Sequence, residues 1–190
     1  MSPTEVLDYW LGELGPEGWY AGSPEIDADI RERFGDLWRA ADEDGLEHWV
    51  DGPAGTLAYL IVTDQFPRNL WRGEGRAFAT DARALAAARV AIKEGWDLGV
   101  PEPERQFFYL PFMHSEELSV QEECISLIAE RLPETGAHNH LHARAHAEVI
   151  RRYGRFPYRN EALNRVNTPE EEHFLANGSY LSVVKELEAA

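Results

Sequence analysis

Two short segments of the chain place arginine and asparagine beside a Phe-Pro pair: "DQFPRN" at 64–69 and "GRFPYRN" at 154–160. The planar guanidinium of arginine binds carboxylate and phosphate groups through paired hydrogen bonds, so both segments suit recognition of an anion. If the two segments face each other, six side chains form one polar cluster: Asp64, Arg68, Asn69, Arg155, Arg159 and Asn160. Such a cluster is either a site for an anionic group or a buried structural network.

The position of Asp64 is what makes the first segment a candidate site. Asp64 lies on the apolar face of a strongly hydrophobic helix, where a carboxylate needs a cationic partner. Arg68, Arg72 or an arginine of the second segment would neutralise it.

The same two segments also have a purely structural explanation as corners between helices. Proline lacks an amide hydrogen and restricts the residue before it, so Pro67 and Pro157 are expected to end one helix and begin the next. Phe66 and Phe156 would then pack beneath the new helix. The arginines and asparagines can donate to carbonyl groups at the end of the preceding helix. The sequence does not decide between this structural explanation and an anion site.

A second set of polar residues has the chemistry of a general acid or base. His114 and Glu116 follow an aromatic helix, and His146 shares a helix face with His142. Histidine titrates near neutral pH, so His114 is a candidate general acid or base, oriented by Glu116 or assisted by His146. His142 and His146 could also begin a metal site that His114 or Glu116 completes. Since only two ligands are aligned, we predict neither a metal nor another cofactor.

The charge of the chain is acidic overall but unevenly distributed. Its 190 residues carry a net charge of −16, which argues against nucleic acid and anionic lipid as partners, because both are bound mainly by lysine and arginine. Residues 1–51 contain 14 acidic residues and 3 arginines, whereas residues 144–165 contain 6 arginines and 2 glutamates. The second Phe-Pro segment therefore lies in a positive island.

The sequence predicts a cytoplasmic protein without a membrane partner. The N-terminal residues are acidic where a secretory signal begins with basic ones, and the longest apolar run, "LAYLIV" at 57–62, is too short to cross a bilayer. The single cysteine, Cys124, lies in an apolar pattern and is expected to be a buried, unreactive thiol.

Helix signals recur along the whole chain and predict an all-α fold. Ser or Thr stands three residues before Glu at 2–5, 119–122 and 168–171, the pattern of a capping box, and Ser23 and Thr80 are expected to open further helices. No segment shows the bounded period-two alternation of a β-strand. Without a linker-like segment, residues 1–190 are predicted to form a single domain. We expect tetratricopeptide-like stacked antiparallel helices in one compact right-handed helical domain.

Taken in order, several segments resemble the uncharacterised bacterial family known as domain of unknown function 924. They include "VLDYWLG" at 6–12, "LAYLIVTDQFPRNLWRG" at 57–73, "RQFFYLPFMHSEELSVQ" at 105–121 and "GRFPYRNEALNR" at 154–165. The resemblance implies an all-α, tetratricopeptide-like fold and no activity. It marks eleven residues: Asp64, Arg68, Asn69, Arg105, His114, Glu116, Gln121, His146, Arg155, Arg159 and Asn160. Tyr158 and Asn164 depart from the family, which often has histidine and glycine there.

Three functional hypotheses follow from these residues. The leading one is a binding module whose arginine-lined concave pocket recognises a small anionic molecule or a peptide carboxylate. Arg68, Arg155 and Arg159 would contact the anion, held in position by the neighbouring aspartate and asparagines. The second is a hydrolase that uses His114 with Glu116 or a metal. The third is a protein-binding domain with a structural polar core, whose partner docks on the acidic N-terminal face.

Overall fold

The computed structural model describes residues 1–189, and every regular element in that range is helical. The α-helices are α1 Pro3–Leu7, α2 Gly15–Gly18, α3 Pro24–Asp42, α4 Pro53–Leu60, α5 Phe66–Leu70, α6 Asp81–Glu94, α7 Leu110–Met113, α8 Leu118–Arg131, α9 Ala137–Tyr153, α10 Pro169–Ala176 and α11 Ser179–Glu188. Short π turns, Asp8–Leu14 and Ile61–Gln65, and several 3₁₀ turns join them. The predicted all-α fold class is confirmed, while the tetratricopeptide-like stacking stays a prediction. No helix within residues 1–189 combines the length and apolarity needed to cross a membrane.

The chain divides into two compact units, Met1–Pro111 and Phe112–Ala190. In the first unit α3 packs against α5 and α4 against α6, over a core of aromatic rings in which the Phe34 and Phe66 centroids lie 4.7 Å apart. In the second unit α9 packs against both α8 and α11, and Phe156 and Phe174 belong to its buried core. The prediction of a single domain stays a prediction.

Local capping explains where several helices begin. Ser2 and Thr168 form the predicted capping boxes, in which the hydroxyl accepts from the amide three residues on and the glutamate there bonds back to the cap. Ser23 caps α3 by accepting from the amides of Glu25 and Ile26. Each of these caps involves only the two or three residues that follow it, so the sequence predicted these helix starts correctly.

The capping box predicted at Ser119 is wrong. Helix α8 begins one residue earlier, at Leu118, and places Ser119 inside its first turn. The preceding turn is closed instead by the Ser115 hydroxyl, which accepts from the Glu117 amide at 3.2 Å. Further along α8, Cys124 is fully buried as predicted, and burial raises the pKa of its thiol.

Pro67 does not end a helix, contrary to the prediction. Helix α4 continues through the π turn Ile61–Gln65 directly into α5, which contains Pro67 in its first turn. Proline cannot donate to the carbonyl four residues back, and the wider π turn accommodates that loss. The Thr63 carbonyl accepts instead from the Thr80 hydroxyl at 2.6 Å, and the Asp64 carbonyl accepts from Arg68.

Pro157, by contrast, begins the 3₁₀ turn Pro157–Arg159 after α9 has ended, as predicted.

Candidate functional site

The arginine of the first Phe-Pro segment is held by two aspartates of the first unit. Arg68 donates from Nη1 to Asp81 Oδ1 at 3.0 Å and from Nη2 to Asp81 Oδ2 at 3.2 Å. Its Nη1 also lies 3.4 Å from Oδ1 of Asp64, whose side chain is 1% exposed. Arg68 is therefore the cation that the sequence required beside Asp64, and it ties α5 to the start of α6.

Asn69 bonds a carboxylate and does not cap a helix end as the corner explanation expected. Its Nδ2 donates to Oδ1 of Asp27 on α3 at 2.8 Å. Arg72 donates to the same carboxylate, from Nε to Oδ2 at 2.8 Å and from Nη2 to Oδ1 at 2.9 Å. Burial raises the pKa of Asp27, but the hydrogen bonds from Arg72 and Asn69 outweigh it and hold that pKa below its usual value.

Arg105, which only the family resemblance marked, stabilises a loop of the first unit. Its Nε donates to the Val100 carbonyl at 2.8 Å, and its Nη1 lies 3.8 Å from the Glu102 carboxylate. The side chain holds the backbone that leads into the 3₁₀ turn Glu104–Phe108.

In the second unit, Arg155 and Asn160 both bond Glu171 in the first turn of α10. Arg155 donates from Nε to Oε1 at 2.6 Å and from Nη2 to Oε2 at 2.7 Å. Asn160 Nδ2 donates to Asn167 Oδ1 at 2.8 Å and to Glu171 Oε2 at 3.3 Å. Glu171 is 2% exposed, so these donors are what keep a buried carboxylate ionised.

Arg159 occupies a different environment, in which it lies over an aromatic ring. The residue is 8% exposed, and its guanidinium carbon lies 4.6 Å from the centre of the Phe156 ring. The Phe156 amide donates to Glu116 Oε1 at 2.9 Å, and Arg165 Nη1 donates to the same oxygen at 2.9 Å. Burial raises the pKa of Glu116, but these hydrogen bonds and the charges of Arg165 and Arg159 hold it below its usual value.

His146 on α9 packs against the same phenylalanine in a fixed tautomer. Its Nδ1 lies 2.9 Å from the His142 carbonyl, and because a carbonyl only accepts, Nδ1 carries the hydrogen. The imidazole ring meets Phe156 edge-on, with centroids 5.4 Å apart. In the neutral ring Nε2 then carries the lone pair. We call Glu116, His146, Phe156, Arg159 and Arg165 the Arg159 cluster.

Burial keeps His146 uncharged. Burial lowers the pKa of His146 to about 3. The hydrogen bond to His142 opposes this decrease, whereas the charges of His114 and Arg159 add to it. The His114 ring lies beside it, with centroids 6.4 Å apart. At neutral pH the Arg159 cluster therefore contains two guanidinium groups, one carboxylate and a neutral imidazole.

Two tyrosines border the Arg159 cluster. The Tyr180 hydroxyl lies 2.5 Å from Nδ1 of His142 and 3.1 Å from Nδ1 of His146. Burial raises the pKa of Tyr180. Since Nδ1 of His146 is a donor, the Tyr180 hydroxyl accepts from it and donates to His142. Tyr158 stacks on Phe156 with ring centroids 5.3 Å apart.

The imidazoles of His142 and His146 thus point their Nδ1 atoms at the Tyr180 hydroxyl, and that of His146 also at a backbone carbonyl. Within residues 1–189 no group of three or more His, Cys, Asp or Glu side chains is arranged to hold a metal ion.

Gln121, another residue marked by the resemblance, fixes the turn that carries His114. It is fully buried, and its Nε2 donates to the carbonyls of Met113 at 2.7 Å and Ser115 at 2.6 Å. The turn therefore has a defined backbone despite lacking regular structure.

The predicted site residues fall into separate sets. Asp64, Arg68 and Asn69 lie in the first unit, each with partners there. Arg105 also lies in the first unit, and the other six lie in the second. There Arg155 and Asn160 bond Glu171, whereas Glu116, His146 and Arg159 belong to the Arg159 cluster and the His114 ring lies beside His146. The face-to-face arrangement of the two segments stays a prediction.

The sequence did not identify several functional neighbours of these residues. They are Asp27, Asp81, Arg165, Glu171 and Tyr180. Two of them lie in recognisable sequence patterns. Glu171 completes a capping box, and Arg165 ends the segment "NEALNR". The other three lie in ordinary helical sequence with nothing to distinguish them.

The comparisons with known proteins agree with this fold. No curated protein matches the chain. A solved structure of a protein of unknown function from Agrobacterium tumefaciens is similar, with 38% sequence identity over 93% of this chain and 97% of that one and a TM-score of 0.85. A family model described as "Bacterial protein of unknown function (DUF924)" matches residues 6–179. That range includes both Phe-Pro segments, His114 and His146, so the chain belongs to the DUF924 family, as its resemblance to that family implied.

Proposed function

We propose that the protein is a binding module for a small anionic molecule, and that the Arg159 cluster holds the carboxylate or phosphate group of that molecule. The observation that carries this proposal is a buried guanidinium, on Arg159, beside an imidazole that is kept neutral. A buried positive charge attracts an anion more strongly than an exposed one, because water screens it less.

The positive potential of the cluster supports this proposal. The charge of Arg159 acts on Glu116 and also helps to lower the pKa of His146. A second cation is therefore unfavourable beside Arg159, whereas an anion would be favourable. An anion bound there would also favour the protonated form of His146, whose Nε2 could then donate to it.

Arg68 and Arg155 are less suited to this role than the sequence suggested. Each donates two hydrogen bonds to a carboxylate of the protein itself, Asp81 for Arg68 and Glu171 for Arg155. An external anion would have to displace that carboxylate. We assign the anion contact to Arg159 because its guanidinium is buried beside the neutral imidazole of His146, and we give the other two arginines structural roles.

The hydrolase alternative has weaker support than binding. General acid–base catalysis is most effective when the pKa lies near the working pH, and an imidazole with a pKa of about 3 is a poor base at pH 7. Glu116 bonds Arg165 and the Phe156 amide. A hydrolase would therefore rely on His114 as its general acid or base.

The test is a titration of the purified protein with acetate, citrate and inorganic phosphate at constant ionic strength, followed by thermal unfolding and by the NMR signals of the His146 imidazole. We expect at least one anion to raise both the melting temperature and the pKa of His146. A ligand present at ten times its dissociation constant adds about 1.4 kcal/mol to the free energy of unfolding. Arg159→Gln should abolish both effects.

Arg152→Gln is the matched control for charge. Arg152 belongs to the same positive island but pairs at the surface with Glu148 and Glu186. It should leave anion binding unchanged. The melting temperature without anion shows whether Arg159→Gln is folded, and Arg159→Lys, which keeps the charge, should retain part of the binding. The proposal is wrong if no anion shifts the wild type, or if Arg152→Gln weakens binding as much as Arg159→Gln.

A further inference from the structure

A small pocket opens in the first unit where α4, α6 and the 3₁₀ turn Glu47–Trp49 meet. Its volume is about 290 Å³, just below the roughly 300–1,000 Å³ typical of small-molecule sites. Val50, Ala86, Ala87 and Val90 form an apolar wall, and the polar lining residues are Glu47, Tyr59 and Arg83. The size and lining suit a small ligand with an apolar body and one polar group.

Tyr59 presents a polar atom to this pocket that the protein itself does not use. The residue is 3% exposed, and its hydroxyl forms no hydrogen bond with any residue in the range 1–189. The oxygen is nevertheless not among the polar atoms sealed from solvent, so it is reached through the pocket that Tyr59 lines. A hydroxyl without a protein partner is left to bond either water or a ligand that enters the pocket, so a ligand with a donor can gain a hydrogen bond there.

Glu47 supplies a carboxylate at the rim that is only loosely held. Its cationic neighbour, Arg83, lies 3.8 Å away, and Arg83 is engaged by the Asp44 carboxylate and donates to the Asp42 carbonyl at 3.0 Å. The Glu47 side chain is 64% exposed, so it can turn toward a ligand. Glu47 and Tyr59 line the same pocket, and burial followed by the charge of Glu47 raises the pKa of Tyr59.

The charge around the pocket favours a cation. Residues 42–51 contain five acidic residues and no lysine or arginine. Arg83 also lines the pocket, but the Asp44 carboxylate offsets its charge. An ammonium group has three donors and no acceptor, so it can bond a carboxylate and a hydroxyl oxygen at once.

We propose that this pocket binds a small organic amine. The ammonium group donates to the Glu47 carboxylate and the Tyr59 hydroxyl, while the apolar body packs against Val50, Ala87 and Val90. This site is independent of the Arg159 cluster, which lies in the other unit and takes ligands of the opposite charge.

The experiment titrates the full chain with benzylamine, benzyl alcohol and benzoate, three probes that share a ring and differ in charge. Amide NMR spectra of Val50, Ala87 and Val90 report binding. We expect benzylamine to bind, benzyl alcohol to bind at least about tenfold more weakly, and benzoate not to bind. Tyr59→Phe and Glu47→Gln should each weaken benzylamine binding about five- to tenfold.

Glu43→Gln is the matched control, because Glu43 is an exposed acid of the same stretch that does not line the pocket. It should leave benzylamine binding unchanged. Tyr59→Phe removes a hydroxyl without a protein partner and should keep the wild-type melting temperature, so its effect on binding is not a folding defect. The proposal is overturned if benzylamine shifts no pocket resonance, if benzyl alcohol binds as well, or if Glu43→Gln weakens binding as much as Glu47→Gln.

Discussion

Arg155 and Glu171 meet through two parallel hydrogen bonds, from Nε to Oε1 at 2.6 Å and from Nη2 to Oε2 at 2.7 Å. Arg68 makes the same kind of contact with Asp81. Both acids lie in the first turn of a helix, α10 and α6 respectively, where a negative charge also interacts favourably with the helix dipole. In each unit an arginine of the Phe-Pro segment therefore fixes the start of a following helix.

Removing the Glu171 carboxylate should destabilise the second unit. Glu171→Ala loses the hydrogen bonds from Arg155, Asn160 and the Thr168 amide, which together should lower the free energy of unfolding by about 1–3 kcal/mol. Urea unfolding measures the change. Glu172→Ala removes an exposed acid from the neighbouring position and should change stability by less than about 0.5 kcal/mol. Equal effects of the two variants would show that the Arg155 contact contributes nothing specific.

The half-buried imidazole of His146 should make the protein less stable in mild acid. Its pKa falls from 6.5 in the unfolded chain to about 3 in the folded protein, so between these values the unfolded state binds the extra proton. The stability contributed by the neutral ring is complete above pH 6.5 and declines as the pH falls toward 3.

His146→Gln should therefore flatten the loss of stability between pH 7 and pH 5. Urea unfolding across that range gives the slope, and the imidazole NMR titration gives the pKa directly. His173→Gln, which replaces an exposed histidine, should leave the slope as in the wild type. A wild-type His146 that titrates near 6.5 would contradict the prediction.

Thr80 should be more important for stability than its place before α6 suggests. It is fully buried, donates to the Thr63 carbonyl at 2.6 Å and accepts from Trp38 Nε1 at 3.3 Å. Thr80→Val keeps the shape but leaves a carbonyl and an indole N–H without partners, at a cost of about 1–3 kcal/mol. Thr80→Ser keeps the hydroxyl and should cost much less. Thermal and urea unfolding measure the stability of both variants. If Thr80→Val and Thr80→Ser lose the same stability, the hydroxyl is not what stabilises the protein at this position.

The sequence predicted what depends on neighbours along the chain and missed what depends on distant partners. The caps at Ser2 and Thr168 need only the next three residues, and the turn at Pro157 follows from proline itself. The helix through Pro67 could not be predicted, because the freed Thr63 carbonyl is bonded by Thr80, 17 residues further on.

The partners within the Arg159 cluster lie further apart still. Glu116 was correctly selected as a polar residue at a corner, but its partner Arg165 lies 49 residues later. Spacing along a helix cannot reveal such a pair. Nor does the sequence distinguish Arg155, which bonds a carboxylate of the protein, from Arg159, which lies over an aromatic ring.

Asn164 offers a test of backbone conformation next to the Arg159 cluster. Its φ of 53° is left-handed, a conformation that glycine and asparagine adopt more readily than other residues. The turn places the Arg165 amide 2.8 Å from the Asn160 carbonyl and directs Arg165 to Glu116. Asn164→Gly should keep or slightly raise stability. Asn164→Ala should lower the free energy of unfolding by about 1 kcal/mol, because a β-carbon is disfavoured at this φ. Urea unfolding of both variants checks this, and equal stabilities would show that the backbone relaxes to another conformation.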